Sequence, residues 1–160
     1  MRFILFICLS FALLSCSSPP QATPTPGYSH LVVTLERTVC FGGCPAYQLT
    51  IYGDGRVVYE GKAFVNVKGK QTSQIGSGQV AELVSAFEKA GYLSLKDNYT
   101  VPASDLPTTI TSIALNGRSK RVSHYGIGGS PDVDSDPTEL YELENKIDEI
   151  ANSKQWVGQH

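Results

Sequence analysis

The sequence predicts an α+β domain: an antiparallel sheet of six or seven strands built from hairpins, with two amphipathic helices packed on one face. Two observations predict it. Alternating or β-branched segments recur in pairs joined by glycine-rich turns, and each strand-rich half of the chain is followed by one segment of helical periodicity. Residues 31–158 are the length of one domain, and no internal repeat interrupts them.

In chain order, residues 31–37 (LVVTLER) are β-branched and largely apolar and suit a first strand. Residues 46–52 alternate, with Tyr47, Leu49 and Ile51 on one face and Gln48, Thr50 and Tyr52 on the other. Gly53-Asp54-Gly55 supplies a turn, and residues 56–60 (RVVYE) return as the hairpin partner. A weaker hairpin is expected from 63–67 to 71–75, lying at a sheet edge because its return strand is polar. From Ser77, expected as the N-cap, the period becomes helical: Val80, Leu83, Val84 and Phe87 fall at i, i+3, i+4 and i+7, and Gly91 suits the residue that ends the helix. Residues 92–107 read as a loop of functional length. Residues 108–115 and 118–125 flank Asn116-Gly117, the pair that calls for a type I′ hairpin. Asp136 as cap, Pro137 at the first helical position and Glu139 open a second helix with the stripe Leu140, Leu143, Ile147 and Ile150. Trp156, the only tryptophan, is expected to fold back onto the core.

The N-terminus is a different kind of sequence. Arg2 precedes an uncharged apolar run from Phe3 to Leu14, too short for the roughly 20 residues that a spanning helix needs, so residues 1–15 read as an export signal. Leu13-Leu14-Ser15-Cys16 resembles the lipobox of bacterial lipoproteins, which implies that Cys16 is lipidated and heads the mature chain. Acyl chains contribute about 0.8 kcal/mol per buried methylene, enough in pairs to hold a soluble domain on a membrane. Residues 16–30 carry prolines among serines and threonines with no apolar periodicity and read as a tether. Ser17, not aspartate, after the lipidated cysteine points to the outer membrane, with the domain facing the periplasm.

Removal of Arg2 with the signal leaves 12 of the 13 basic residues against 15 acidic ones, a net charge of −3. No segment concentrates Lys and Arg, so no nucleic-acid partner is expected. With Cys8 in the signal and Cys16 lipidated, Cys40 and Cys44 remain, and in an oxidising compartment such a pair usually joins. The loop is small, so a bridge would add only about 2 kcal/mol.

Residues 40–47 (CFGGCPAY), 49–55 (LTIYGDG) and 58–61 (VYEG) carry a resemblance to the bacterial family known as domain of unknown function 6438, as do 106–112 (LPTTITS) and 146–152 (KIDEIAN). That resemblance implies a small exported domain, often lipidated, without an assigned activity or catalytic residues. The acidic, glycine-rich stretch near 127–136 departs from it.

Each candidate site also has a plainer use for the same residues. A thioredoxin-like pair needs Cys-x-x-Cys at a helix N-terminus, whereas Cys40 and Cys44 are one residue further apart and a strand follows Pro45. A structural bridge therefore leads, with a thiol-redox pair and a metal site as alternatives. His30 and His124 lie at no zinc-ligand spacing from each other or from the cysteines, and a surface or hydrogen-bonding role is the default for both. Asp132, Asp134 and Asp136 begin like a calcium loop, but Pro137 and Leu143 stand where glycine and a bidentate glutamate are required. Gly126-Ile127-Gly128-Gly129 leads into no helix and makes a poor phosphate cradle. Ser104, Asp105 and His124 assemble a triad only on paper. Among the aromatic residues near the first hairpin, which include Phe41 and Phe64, sheet packing is the commoner use, and a binding face of Tyr47, Tyr52 and Tyr59 is the alternative.

No metal or cofactor is expected. The expected function is a non-catalytic binding or accessory module, anchored to a membrane by lipid and recognising an envelope protein or peptide; the alternative is a thiol-redox protein using Cys40 and Cys44.

Overall fold

The computed structural model describes residues 27–126 and 137–158. It is an α+β fold: a seven-stranded sheet in the order β4-β3-β2-β1-β6-β7-β5, with helices on one face. The strands are β1 (Val32–Arg37), β2 (Ala46–Tyr52), β3 (Arg56–Ala63), β4 (Gly69–Gln74), β5 (Asn98–Thr100), β6 (Thr108–Leu115) and β7 (Arg118–Tyr125). The helices are α1 (Ser77–Lys89), α2 (Thr138–Ala151) and the single turn α3 (Lys154–Val157). All neighbours are antiparallel except β5 and β7.

Alternation decides which side chains are buried. Val33 and Leu35 of β1, Leu49 and Ile51 of β2 and Val57 and Tyr59 of β3 are fully buried beneath the helices. The expected stripes face them: Val80, Leu83, Val84 and Phe87 from α1, and Leu140, Leu143, Ile147 and Ile150 from α2. Gly91 and Asn152 take left-handed backbone just past the two helices, with φ of 57° and 51°. The Asn116-Gly117 turn has positive φ at both residues, as type I′ requires. Trp156 folds back and stacks on Tyr59, ring centroids 4.9 Å apart.

Four expectations are corrected. Residues 63–67 are not a strand: β3 continues to Ala63 and itself pairs with β4, while the amides of Asn66 and Val67 donate to the carbonyls of Val157 and Trp156. Gly61 lies inside that longer strand, where a side chain would run into the Val67 carbonyl and the Tyr59 hydroxyl. The loop 92–107 contains a 3-10 turn at Tyr92–Ser94 and the parallel strand β5, a pairing decided by β7 and not by any local pattern. The cap of α1 is Gly76, with Gln79 accepting from its amide; Ser77 is the first helical residue. Pro137 caps α2 one residue before the helix begins, and the expected cap at Asp136 lies outside the described residues.

The hairpin register puts the chain's loops at two poles. The β2–β3 turn, the β6–β7 turn and the segment Tyr28–Leu31 share one pole, where the Gly53 amide donates to the Leu31 carbonyl. The connections 38–45, 64–68 and 101–107 share the other, with Gly126 beside them. A six-residue β1 sets the two about 20 Å apart.

Candidate functional site

The pole that holds residues 38–45 collects the unusual features. Cys40 and Cys44 stand at disulfide-bonding distance, Cα atoms 5.2 Å apart, and the Cys44 amide donates to Cys40 Sγ at 3.2 Å. Gly42 and Gly43 close the loop with φ of 118° and 93°, values that L side chains rarely adopt. Phe41, between them and Cys40, is 89% exposed. Phe64 is 54% exposed, sits at φ 51° and lays its ring over Gly43; Val39 is exposed beside them. Positive φ at a phenylalanine is uncommon, and strained backbone gathers at binding and switch sites. The Phe41 amide donates to the carbonyl of Asp105, itself at φ 64°, which ties the loop to the 101–107 connection.

Beside this loop lies a cavity of about 220 Å³. Cys44, Pro45 and Pro107 form one side of it; Arg37 of β1 and Thr109 of β6 meet Tyr141, Glu144 and Asn145 of α2 at the other. Two polar clusters support it. Asp148 accepts from Arg37 Nε (2.9 Å) and Nη2 (2.8 Å), from the Tyr47 hydroxyl (2.7 Å) and from the Ser153 hydroxyl (2.6 Å). Arg37 Nη1 donates to Thr109 Oγ1 at 3.1 Å. Burial opposes the charge on Arg37, but Asp148, helped by Tyr47 and Glu144, outweighs it and holds the guanidinium pKa above its ordinary value. Burial, then Asp148, pushes the Tyr47 phenol far up. The second cluster is His124 Nδ1 on Glu144 Oε1 at 3.0 Å, both side chains 2% exposed.

The expected sites fare unevenly. Cys40 and Cys44 come together; Cys16 lies outside the described residues. The tyrosine face is not formed: Tyr47 and Tyr59 are buried on the helix side of the sheet, and only Tyr52 is partly exposed, on the open face beneath the Arg56 guanidinium at 3.6 Å. The physical reason is the period of two, which sends residues 47 and 52 to opposite faces, while Tyr59 sits opposite Leu49 on the core side. His124, expected in a surface or hydrogen-bonding role, has the second: β7 turns it toward α2, where it is buried with Nδ1 on Glu144 Oε1. Among the described residues the Ser104 hydroxyl bonds to its neighbour Asp105 and His124 pairs with Glu144, so the paper triad does not assemble. His30 is exposed. The calcium-like acids and Gly128-Gly129 lie outside the described residues, and among those described no group of three or more His, Cys, Asp or Glu residues could hold a metal ion. Phe41 and Phe64, exposed at the pole, are not among the residues expected to bind. The signal for Phe41 is its place inside the short Cys-x-x-x-Cys loop, where a large apolar side chain has little to pack against.

The fold and this pole define a small α+β domain whose short cysteine loop presents apolar side chains beside a polar cavity. The chain belongs to the family described as domain of unknown function (DUF6438), whose sequence profile matches residues 31–151. No curated protein matches the chain.

Proposed function

We propose that this is an exported, lipid-anchored envelope domain without catalytic activity that holds a protein or peptide partner at its cysteine-loop pole. The observation that carries the reading is Phe41, 89% exposed on a loop closed by Cys40 and Cys44. A short closed loop limits the conformational entropy lost when an aromatic anchor is buried in a partner. Val39 and Phe64 extend the apolar surface. The anchor rests on the sequence of residues 1–16, and the geometry fits it: the chain enters the domain through Tyr28–Leu31, at the pole opposite Phe41. A tether joining there leaves the cysteine loop at the end of the domain far from the attachment point; the anchoring membrane is expected to be the outer membrane, with the domain in the periplasm.

A thiol-redox role is the second reading, favoured by one observation: Cys44 lines the cavity and is partly exposed.

The binding role is tested by placing a photo-crosslinking phenylalanine analogue at residue 41, and at the exposed Gln79 of α1 as a control, in cells. One adduct of defined mass from position 41, absent from 79 and lost when Val39 and Phe64 are both changed to serine, is expected. No adduct at 41, or the same products from both positions, would overturn the reading.

A further inference from the structure

We infer that the cavity beside the cysteine loop receives a cationic side chain, ending in a guanidinium or ammonium, from the bound partner; this rests on the binding reading above. The cavity holds about 220 Å³, room for several waters at about 30 Å³ each and so for a guanidinium with its last methylenes. Its polar walls are Arg37, Thr109, Tyr141, Glu144 and Asn145.

The one cationic donor on these walls, Arg37, is engaged. Arg37 directs Nε and Nη2 to Asp148 and Nη1 to Thr109. Its charge therefore faces a carboxylate already, and an anion entering the cavity would have to compete with Asp148 for it. The one anionic acceptor on these walls, Glu144, is only partly used. Glu144 uses one oxygen on His124 Nδ1, and a carboxylate has about four lone-pair sites. The Tyr141 hydroxyl and the Asn145 amide oxygen add acceptors from the same helix.

Charge points the same way. Two carboxylates, Asp148 and Glu144, stand against one guanidinium and one imidazole. Each of the two basic groups is thus already faced by a carboxylate. Glu144 is 2% exposed, so a cation reaching it meets a carboxylate little screened by water. The cavity shares Cys44 and Pro45 with the loop that carries Phe41, so one peptide segment can lay an apolar residue against Phe41 and insert a basic one here.

The test is a titration of the full-length ¹⁵N-labelled protein in detergent micelles with N-acetyl-L-arginine amide. The matched norleucine and glutamate amides serve as controls. Saturable amide shifts at Thr109, Gly126 and Asn145 with the arginine compound alone are expected, with millimolar affinity. Asn145→Lys, at an exposed helical position that leaves the core untouched, should weaken binding at least about tenfold by placing a competing cation at the cavity. Glu144→Gln should weaken it comparably if the variant folds. No saturable shift, equal shifts from either control, or unchanged binding to the Asn145→Lys protein would overturn the inference. Failure here with the residue-41 adduct intact removes the cation pocket alone; loss of the adduct with the titration intact removes the partner and leaves the pocket.

Discussion

Replacing Asp148 with alanine should destabilise the domain through three side chains at once. Its carboxylate is the common acceptor for Arg37, Tyr47 and Ser153, joining β1, β2 and the turn after α2. Breaking a fully buried ion pair costs about 3–5 kcal/mol. Here Arg37 and Asp148 are 24% and 18% exposed, so water takes over part of the stranded charge, and about 2–3 kcal/mol is expected. At about 3–4 °C per kcal/mol for a domain of this size, Tm should fall by roughly 10 °C. Tyr47→Phe, which removes one donor to the same carboxylate and leaves the ring packed on Tyr59, should cost only about 1–2 kcal/mol. The assay is urea unfolding followed by circular dichroism, with Arg37→Met and the Arg37→Met/Asp148→Ala pair completing a cycle. The double variant should lose less than the two singles together, because removing both charges strands neither. An Asp148→Ala protein within about 0.5 kcal/mol of the parent, or strict additivity in the cycle, would refute the reasoning.

Two further outcomes follow from the same structure. Burial lifts the Tyr92 phenol to about 12 from an ordinary 10.0, so the folded state keeps its proton longer than the unfolded chain. That stabilisation is complete below about pH 10 and is lost as pH rises through about 12; Tyr92→Phe should flatten the fall in unfolding free energy over this window, and an unchanged slope would count against it. For Cys40 and Cys44, mass spectrometry after alkylation across a glutathione series should give a reduction potential below about −300 mV if the bridge is structural, whereas a value of about −120 to −220 mV would move the redox reading to first place.

Much of the fold is legible because its signals are local. The Asn116-Gly117 turn, the stripes of α1 and α2 and the terminating Gly91 each depend on a few adjacent residues, and the structure has them where the pattern puts them. The parallel strand β5 is not legible: three residues, Asn-Tyr-Thr, carry no period, and only β7 alongside makes them a strand. The extent of β3 is misread for a related reason. Gly61 belongs in a strand only where another backbone passes close to it, and that neighbour, Val67, arrives from the turn between β3 and β4.

The candidate site divides in the same way. Cys40 and Cys44 stand out from their spacing, and the family follows from motifs that run along the chain. The cavity is invisible in the sequence because Arg37, Thr109 and Glu144 lie on three elements, brought together only when α2 packs across β1 and β6. By itself, then, the sequence determined the α+β class, the hairpins turning at residues 53–55 and at Asn116-Gly117 and the cysteine pair, since each is set by short-range spacing and backbone preference. The tertiary structure decided which aromatics are buried and which are presented, because burial depends on which face another element covers: Tyr47 and Tyr59 lie under the helices, while Phe41, on a loop that no described helix or strand covers, does not.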